Sequence, residues 1–144
     1  MFLSRKSVFV CLFVFAIPAW GASRSWTGAV NDFWSVGGNW AGGVAPVDGD
    51  DLVFPADAVN LSSNNDVVGL TIGSVSFPQP LDGLFSAYNI SGNVVTITGG
   101  ITAVCCVGNW NLPVTLGASQ TFDVSDGLRF NSTIGLAGNT LTID

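Results

Sequence analysis

From Gln120 to Asp144 the chain repeats one small pattern: two apolar residues flanking a single residue, then a short polar turn. The pairs are Phe122/Val124, Leu128/Phe130, Ile134/Leu136 and Leu141/Ile143, separated by Ser125-Asp126-Gly127, Asn131-Ser132-Thr133 and Ala137-Gly138-Asn139. Alternation at a period of two puts both members of a pair on one face of a strand and leaves the other face to solvent. Gly, Asn, Asp and Ser make turns because they tolerate left-handed backbone or hydrogen-bond their own main chain. Strands this short, joined by turns of about three residues, suit a solenoid better than a globular sandwich.

The same pattern runs upstream, as Leu70/Ile72, Val75/Phe77, Tyr88/Ile90, Val95/Ile97, Ile101/Ala103 and Val114/Leu116. Val95/Ile97 recurs as Val114/Leu116 nineteen residues later, and Phe122/Val124 recurs as Leu141/Ile143 at the same distance. Leu70/Ile72 to Tyr88/Ile90 is eighteen residues. One coil of three short strands and three turns needs about that length, and coils stacked in this way put like side chains above one another in interior ladders. The rival is an antiparallel sandwich or meander. Its hairpins favour Asn-Gly or Asp-Gly between longer strands. Of Asp48-Gly49, Asp82-Gly83 and Asp126-Gly127, only the last lies between good strands. The parallel solenoid is the better reading. Pro78 to Ser86 breaks the pattern, and its prolines at 78 and 80 exclude a central strand, so a loop thrown out from the stack is expected there.

Composition enters where it decides between classes. Arg5 and Lys6, the apolar run Val8 to Pro18, and small residues before Ala22 follow the order of a secretory signal peptide, so 1–21 is expected to be removed on export. The run is short for a retained membrane anchor, which needs about 20 apolar residues. The chain that remains holds ten Asp against two Arg, with no Glu, Lys or His, for a net charge of −8. Such a surface repels phosphate backbones and disfavours nucleic acid. The lack of Glu and Lys, with Val, Ile, Thr, Phe, Asn and Gly in their place, points to an all-β fold. Residues 22–65 read as an N-terminal cap region, with Trp26, Trp34 and Trp40 among loops and one strand at Leu52 to Phe54; 66–144 reads as the coils. A cap covers the apolar surface and unpaired strand edges that an end coil leaves open. The pattern runs uncapped to Asp144, so either the rest of a longer polypeptide or a surface partner is expected at that end.

The order of motifs resembles a known family. It comprises Trp26, Trp34-Ser35, Asn39-Trp40, Gly43-Val44-Ala45-Pro46, Gly49-Asp50-Asp51-Leu52-Val53-Phe54, Ser74-Val75-Ser76-Phe77, Tyr88-Asn89-Ile90-Ser91-Gly92-Asn93, and Val114-Thr115-Leu116-Gly117 with Gln120-Thr121-Phe122. This series is similar to the N-terminal passenger region of exported bacterial proteins with autotransporter-associated β-strand repeats. The resemblance implies a right-handed parallel β-helix displayed at, or released from, the cell surface, with a structural or adhesive role. The later Gly-rich repeats, the translocating β-barrel and the sorting tail of that family are not among these 144 residues, so self-export is not assigned to them.

The side chains available exclude much chemistry. Without His, neither Ser/His/Asp nor Cys/His catalysis is possible, and after residue 21 a Ser–Lys dyad lacks its Lys. Cys105 and Cys106 are neighbours, so in a strand they face opposite ways and read as one buried and one exposed thiol; the alternative is an intermolecular disulfide. Carboxylates are the remaining candidates. Asp48, Asp50 and Asp51 read first as turn and strand-start caps, with calcium as the weaker alternative because it takes six to eight oxygens. Asp123 and Asp126 flank a turn near Arg129, which is placed to pair with either; two-carboxylate polysaccharide hydrolysis would draw on them. Trp26, Trp34, Trp40 and Trp110 are either packing residues or, in a glycan-binding module, exposed stacking platforms. Asn60, Asn89 and Asn131 begin glycosylation-acceptor patterns that chance explains in a chain rich in Asn, Ser and Thr. The reading that results is a secreted or cell-surface solenoid, non-enzymatic, with no cofactor and no membrane span after the signal segment.

Overall fold

The computed structural model describes residues 21–78, 87–104, 108–124 and 127–144. Fourteen short strands and one turn of 3-10 helix at Gly37–Asn39 make up its regular structure, and every named strand pair is parallel. The fold is a parallel β-solenoid of about four turns. Its coils are β3 (Ser62–Asn65), β4 (Thr71–Ile72) and β5 (Val75–Phe77); β6 (Asn89–Gly92), β7 (Val95–Ile97) and β8 (Ile101–Ala103); β9 (Asn109–Trp110), β10 (Val114–Leu116) and β11 (Gln120–Asp123); and β12 (Arg129–Phe130), β13 (Ile134–Gly135) and β14 (Leu141–Ile143). Ahead of them lie β1 (Ser23–Ser25) and β2 (Asp51–Val53). The first sheet runs β1-β2-β5-β8-β11-β14, the second β4-β7-β10-β13, and the third β3-β6-β9-β12.

The register confirms one proposed stack and corrects two. Val95 lies beside Val114 and Ile97 beside Leu116, the nineteen-residue step read from the sequence. Phe122, however, neighbours Ile143 and not Leu141, a step of twenty-one. A shift of two keeps the same face inward, so periodicity alone does not separate the two registers. Leu70/Ile72 does not stack on Tyr88/Ile90. Ile72 lies beside Ile97 in the second sheet, whereas Ile90 belongs to the third sheet, beside Ser63 and Trp110. Steps that cross residues 78–88 are longer, as for Val75 and Ile101, because these residues lie between β5 and β6. The loop expected at Pro78 to Ser86 falls almost wholly outside the described residues.

Each sheet stacks apolar residues in the interior, the deepest being Leu52, Val75, Ile101 and Phe122; Ile72, Ile97 and Leu116; and Ile90 and Trp110. Each of these is 0–1% exposed. Burying a Val, Leu, Ile or Phe side chain contributes about 1.5–3 kcal/mol, so repetition of the ladder supplies the main driving force. Strand β3 begins at Ser62, ahead of the expected start of the coils at 66; Ser-Ser-Asn-Asn has no apolar alternation to reveal it. Its inward groups are polar but satisfied. Ser63 accepts the Trp34 indole N–H, and Asn65 donates to the Asn93 carbonyl and accepts from the Val67 amide.

Residues 21–61 continue the solenoid upward in part. Trp34 N–H donates to the Asn64 carbonyl beside β3, and Gly49 N–H to the Thr71 carbonyl beside β4, while β2 pairs with β5. The outer edge of β1 then meets an antiparallel segment: Ala41 N–H donates to Ser25 O, and Thr27 N–H to Asn39 O. Behind this edge Trp26, Trp34 and Trp40 pack around Phe54, whose ring centroid is 6.0–6.3 Å from each of theirs. Phe54 also stacks on Phe77 at 5.4 Å and meets Tyr88 edge-on at 5.3 Å, joining the aromatic cluster to the coils below.

Candidate functional site

The structure places the sequence-predicted residues in two groups, and both serve packing or main-chain bonding. Trp26, Trp34, Trp40 and Trp110 are 0–2% exposed. None offers a ring face to solvent, so of the two readings their burial fits packing and not sugar-stacking platforms. The indole N–H groups of Trp26 and Trp40 donate to the Asn60 and Trp34 carbonyls at 2.7 and 2.9 Å. Trp110 differs: its buried indole N–H has no partner among the described residues.

Asp48, Asp50 and Asp51 accept main-chain N–H bonds, as expected of caps, but apart from Val47 the donors lie 23 to 28 residues away and not in the local turn. Asp48 accepts the Thr71 amide at 2.9 Å, and one Asp51 oxygen accepts both the amide and the hydroxyl of Ser74 at 2.7 Å. Asp50 accepts from the Ala22 amide at 2.7 Å, from Arg24 Nε at 2.6 Å and from the Val47 amide at 3.1 Å. Burial pushes the Asp50 carboxyl up. The Arg24 bond and the Val47 and Ala22 amides outweigh burial and hold it below its ordinary range. Among the described residues no three carboxylate, thiol or imidazole groups gather as a metal site. Asp66 is also held low: burial raises it, but the Ser35 hydroxyl and amide prevail.

Asp123 is exposed, and Asp126, its proposed companion, lies outside the described residues with Cys105 and Cys106. The pairing of Arg129 with Asp123 does not occur. Among the described residues Arg24–Asp50 is the one ion pair, and Arg129 is exposed. Arg129 and Asp123 are carried on different sheets, which the sequence separation of six does not reveal.

What the sequence reading missed is the outer face of the third sheet. In register, Ser62, Asn89, Asn109 and Arg129 form one row across the strands. Asn64, Ser91, Asn111 and Asn131 form the next, two residues further along. The inward residue between the rows is Ile90, Trp110 or Phe130 in the last three coils. The signal was the triplets Asn89-Ile90-Ser91, Asn109-Trp110-Asn111 and Arg129-Phe130-Asn131, spaced by twenty residues. A search for apolar pairs finds Tyr88/Ile90 and Leu128/Phe130 but passes over Asn109-Trp110-Asn111, and it leaves the outward residues of all three unread.

The two ends of the solenoid differ. Beyond β1 the aromatic cluster is closed. At the other end β12, β13 and β14 are the outer strands of their sheets, and Leu136 and Ile143 are 48% and 55% exposed. Residues 1–20, the body of the expected signal segment, lie outside the described residues, and no helix among the described residues is long and apolar enough to cross a membrane. Comparison with protein-family models, with curated proteins and with solved structures finds no match.

Proposed function

We propose that this chain is an exported structural β-solenoid, a passenger-type scaffold of the cell surface or the secreted fraction, working through its shape and not through catalysis. The observation that carries this reading is the continuous parallel stacking of about four coils through all three sheets. We read the Trp26/Trp34/Trp40 segment as a cap: its rings are buried, and an isolated antiparallel bridge between Trp26 and Trp40 lies beyond β1. The last coil presents three strand edges and the half-exposed Leu136 and Ile143. Strand edges with apolar rims are surfaces onto which a partner stacks. The bonding of Asp48, Asp50 and Asp51 supports the same role, since each carboxylate ties one coil to the next.

The test is export and its product. Expressed with its first 21 residues in a bacterial host, the protein is expected outside the cytoplasm with Ala22 as its new N-terminus, read by N-terminal sequencing. Retention in the cytoplasm with Met1 intact contradicts the proposal.

A further inference from the structure

Asn is a poor strand former, yet it fills five of the eight outward positions of the third sheet. The second sheet differs: its outward ladder is Thr71, Thr96 and Thr115, residues with high strand propensity, followed by Gly135 in the last coil. The first sheet turns Val53, Ser76, Thr102 and Asp123 outward in register, with no Asn among them. Hydrogen bonds between the amides account for part of the difference. Asn111 Nδ2 donates to Asn89 Oδ1 at 2.6 Å, and Asn131 Nδ2 donates to Asn111 Oδ1 at 3.0 Å and to Asn109 Oδ1 at 3.3 Å. These bonds are solvent-exposed and orient the amides more than they stabilise the sheet.

The bonds also leave a fixed residue of hydrogen-bonding capacity. Among the described residues the Nδ2 groups of Asn89 and Asn109 have no acceptor, and Asn131 Oδ1 has no donor. Rungs are about 4.8 Å apart and alternate residues along a strand about 6.6 Å apart, so donors and acceptors repeat on a flat grid. The grid is without a carboxylate in a chain of net charge −6, and its only charged member is Arg129. An uncharged partner with many hydroxyls matches this face: each hydroxyl both donates and accepts, as each amide does.

We propose that the outer face of the third sheet is a docking surface for a neutral linear glycan, held by hydrogen bonds between its hydroxyls and Asn89, Asn109, Asn111 and Asn131. Single contacts to hydroxyls in water are weak, and repetition along a polymer makes up the affinity. Sites retained for binding at the expense of strand propensity gain stability when that propensity is restored.

The test is native electrophoresis of the full chain through gels containing hydroxyethyl cellulose, laminarin or dextran, with polygalacturonate as the anionic comparison. The expected result is retardation by at least one neutral glucan. The triple variant Asn89→Thr, Asn109→Thr, Asn111→Thr should lose it at least fivefold while melting at the same or a higher temperature. Failure of all three neutral glucans to retard the protein, retardation by polygalacturonate alone, or undiminished retardation of the variant overturns the proposal. So does a variant that melts well below the parent, because the amides would then be a structural ladder.

Discussion

Val95 and Val114 lie side by side on neighbouring parallel strands, nineteen residues apart in the chain and directly stacked in the interior. That relationship carries the rest of the fold, because each coil rests its inward residues on those of the coil before. Stability in such a stack is a sum of nearest-neighbour terms, so a residue that joins two kinds of packing is the most sensitive point.

Phe54 is that residue. It touches Trp26, Trp34 and Trp40 on one side and Phe77 and Tyr88 on the other. Phe54→Ala is expected to cost about 3–5 kcal/mol, measured by urea denaturation. A loss under about 1 kcal/mol would mean that the aromatic cluster and the coils are not coupled through this ring.

Two tryptophans separate packing from hydrogen bonding. Trp34→Phe leaves the buried Ser63 hydroxyl without the indole that donates to it, whereas Trp110→Phe removes an N–H that has no partner among the described residues. The ring volume lost is the same in both. Trp34→Phe is therefore expected to destabilise more, by about 1–3 kcal/mol. Equal melting temperatures for the two variants would refute this account of the indoles.

Acid acts through Asp50 and, with the same sign, through Asp66. The folded-state carboxyl of Asp50 lies below the ordinary value of 3.8, so it contributes stability above that value and loses it as pH falls through the lower folded one. Melting temperature should fall steeply below pH 3.8. Asp50→Asn should flatten that limb while lowering stability at pH 7, since Arg24 is left without its partner. An acid limb unchanged in the variant would place the effect elsewhere.

Gly92 is required by position. Its φ is +115°, and a Cβ there would lie 2.4 Å from the Asn65 carbonyl oxygen in the coil above. Gly92→Ala is expected to destabilise by more than about 1 kcal/mol, where substitution at an open surface site stays within about 0.5 kcal/mol. Gly138→Ala is the comparison, with a similar left-handed φ of +84° and no neighbour within 4 Å.

The solenoid was legible because the apolar pairs at Val95/Ile97 and Val114/Leu116 recur at one coil length. Exact register was not, since Phe122 against Leu141 or Ile143 leaves the same residues inside. Strand β3 was invisible because its inward Ser63 and Asn65 are polar and are paid for by hydrogen bonds, not by apolar burial. The roles of Asp48, Asp50 and Asp51 as caps were legible from local turn chemistry. Their partners Thr71, Ala22 and Ser74 were not, because those contacts cross between coils 23 to 28 residues apart. The third-sheet amides escaped notice for a different reason: each is an ordinary surface residue, and only stacking brings them into rows.

The most direct measurement is the nuclear Overhauser pattern across β7 and β10 in the labelled protein. The parallel stack predicts contacts from the Thr96 α proton and the Val95 and Ile97 amide protons to the segment around Thr115, and no strong α-proton to α-proton contact between the two strands. Strong α-proton to α-proton contacts between Val95–Ile97 and Val114–Leu116 are the mark of an antiparallel pair, and finding them would contradict the solenoid.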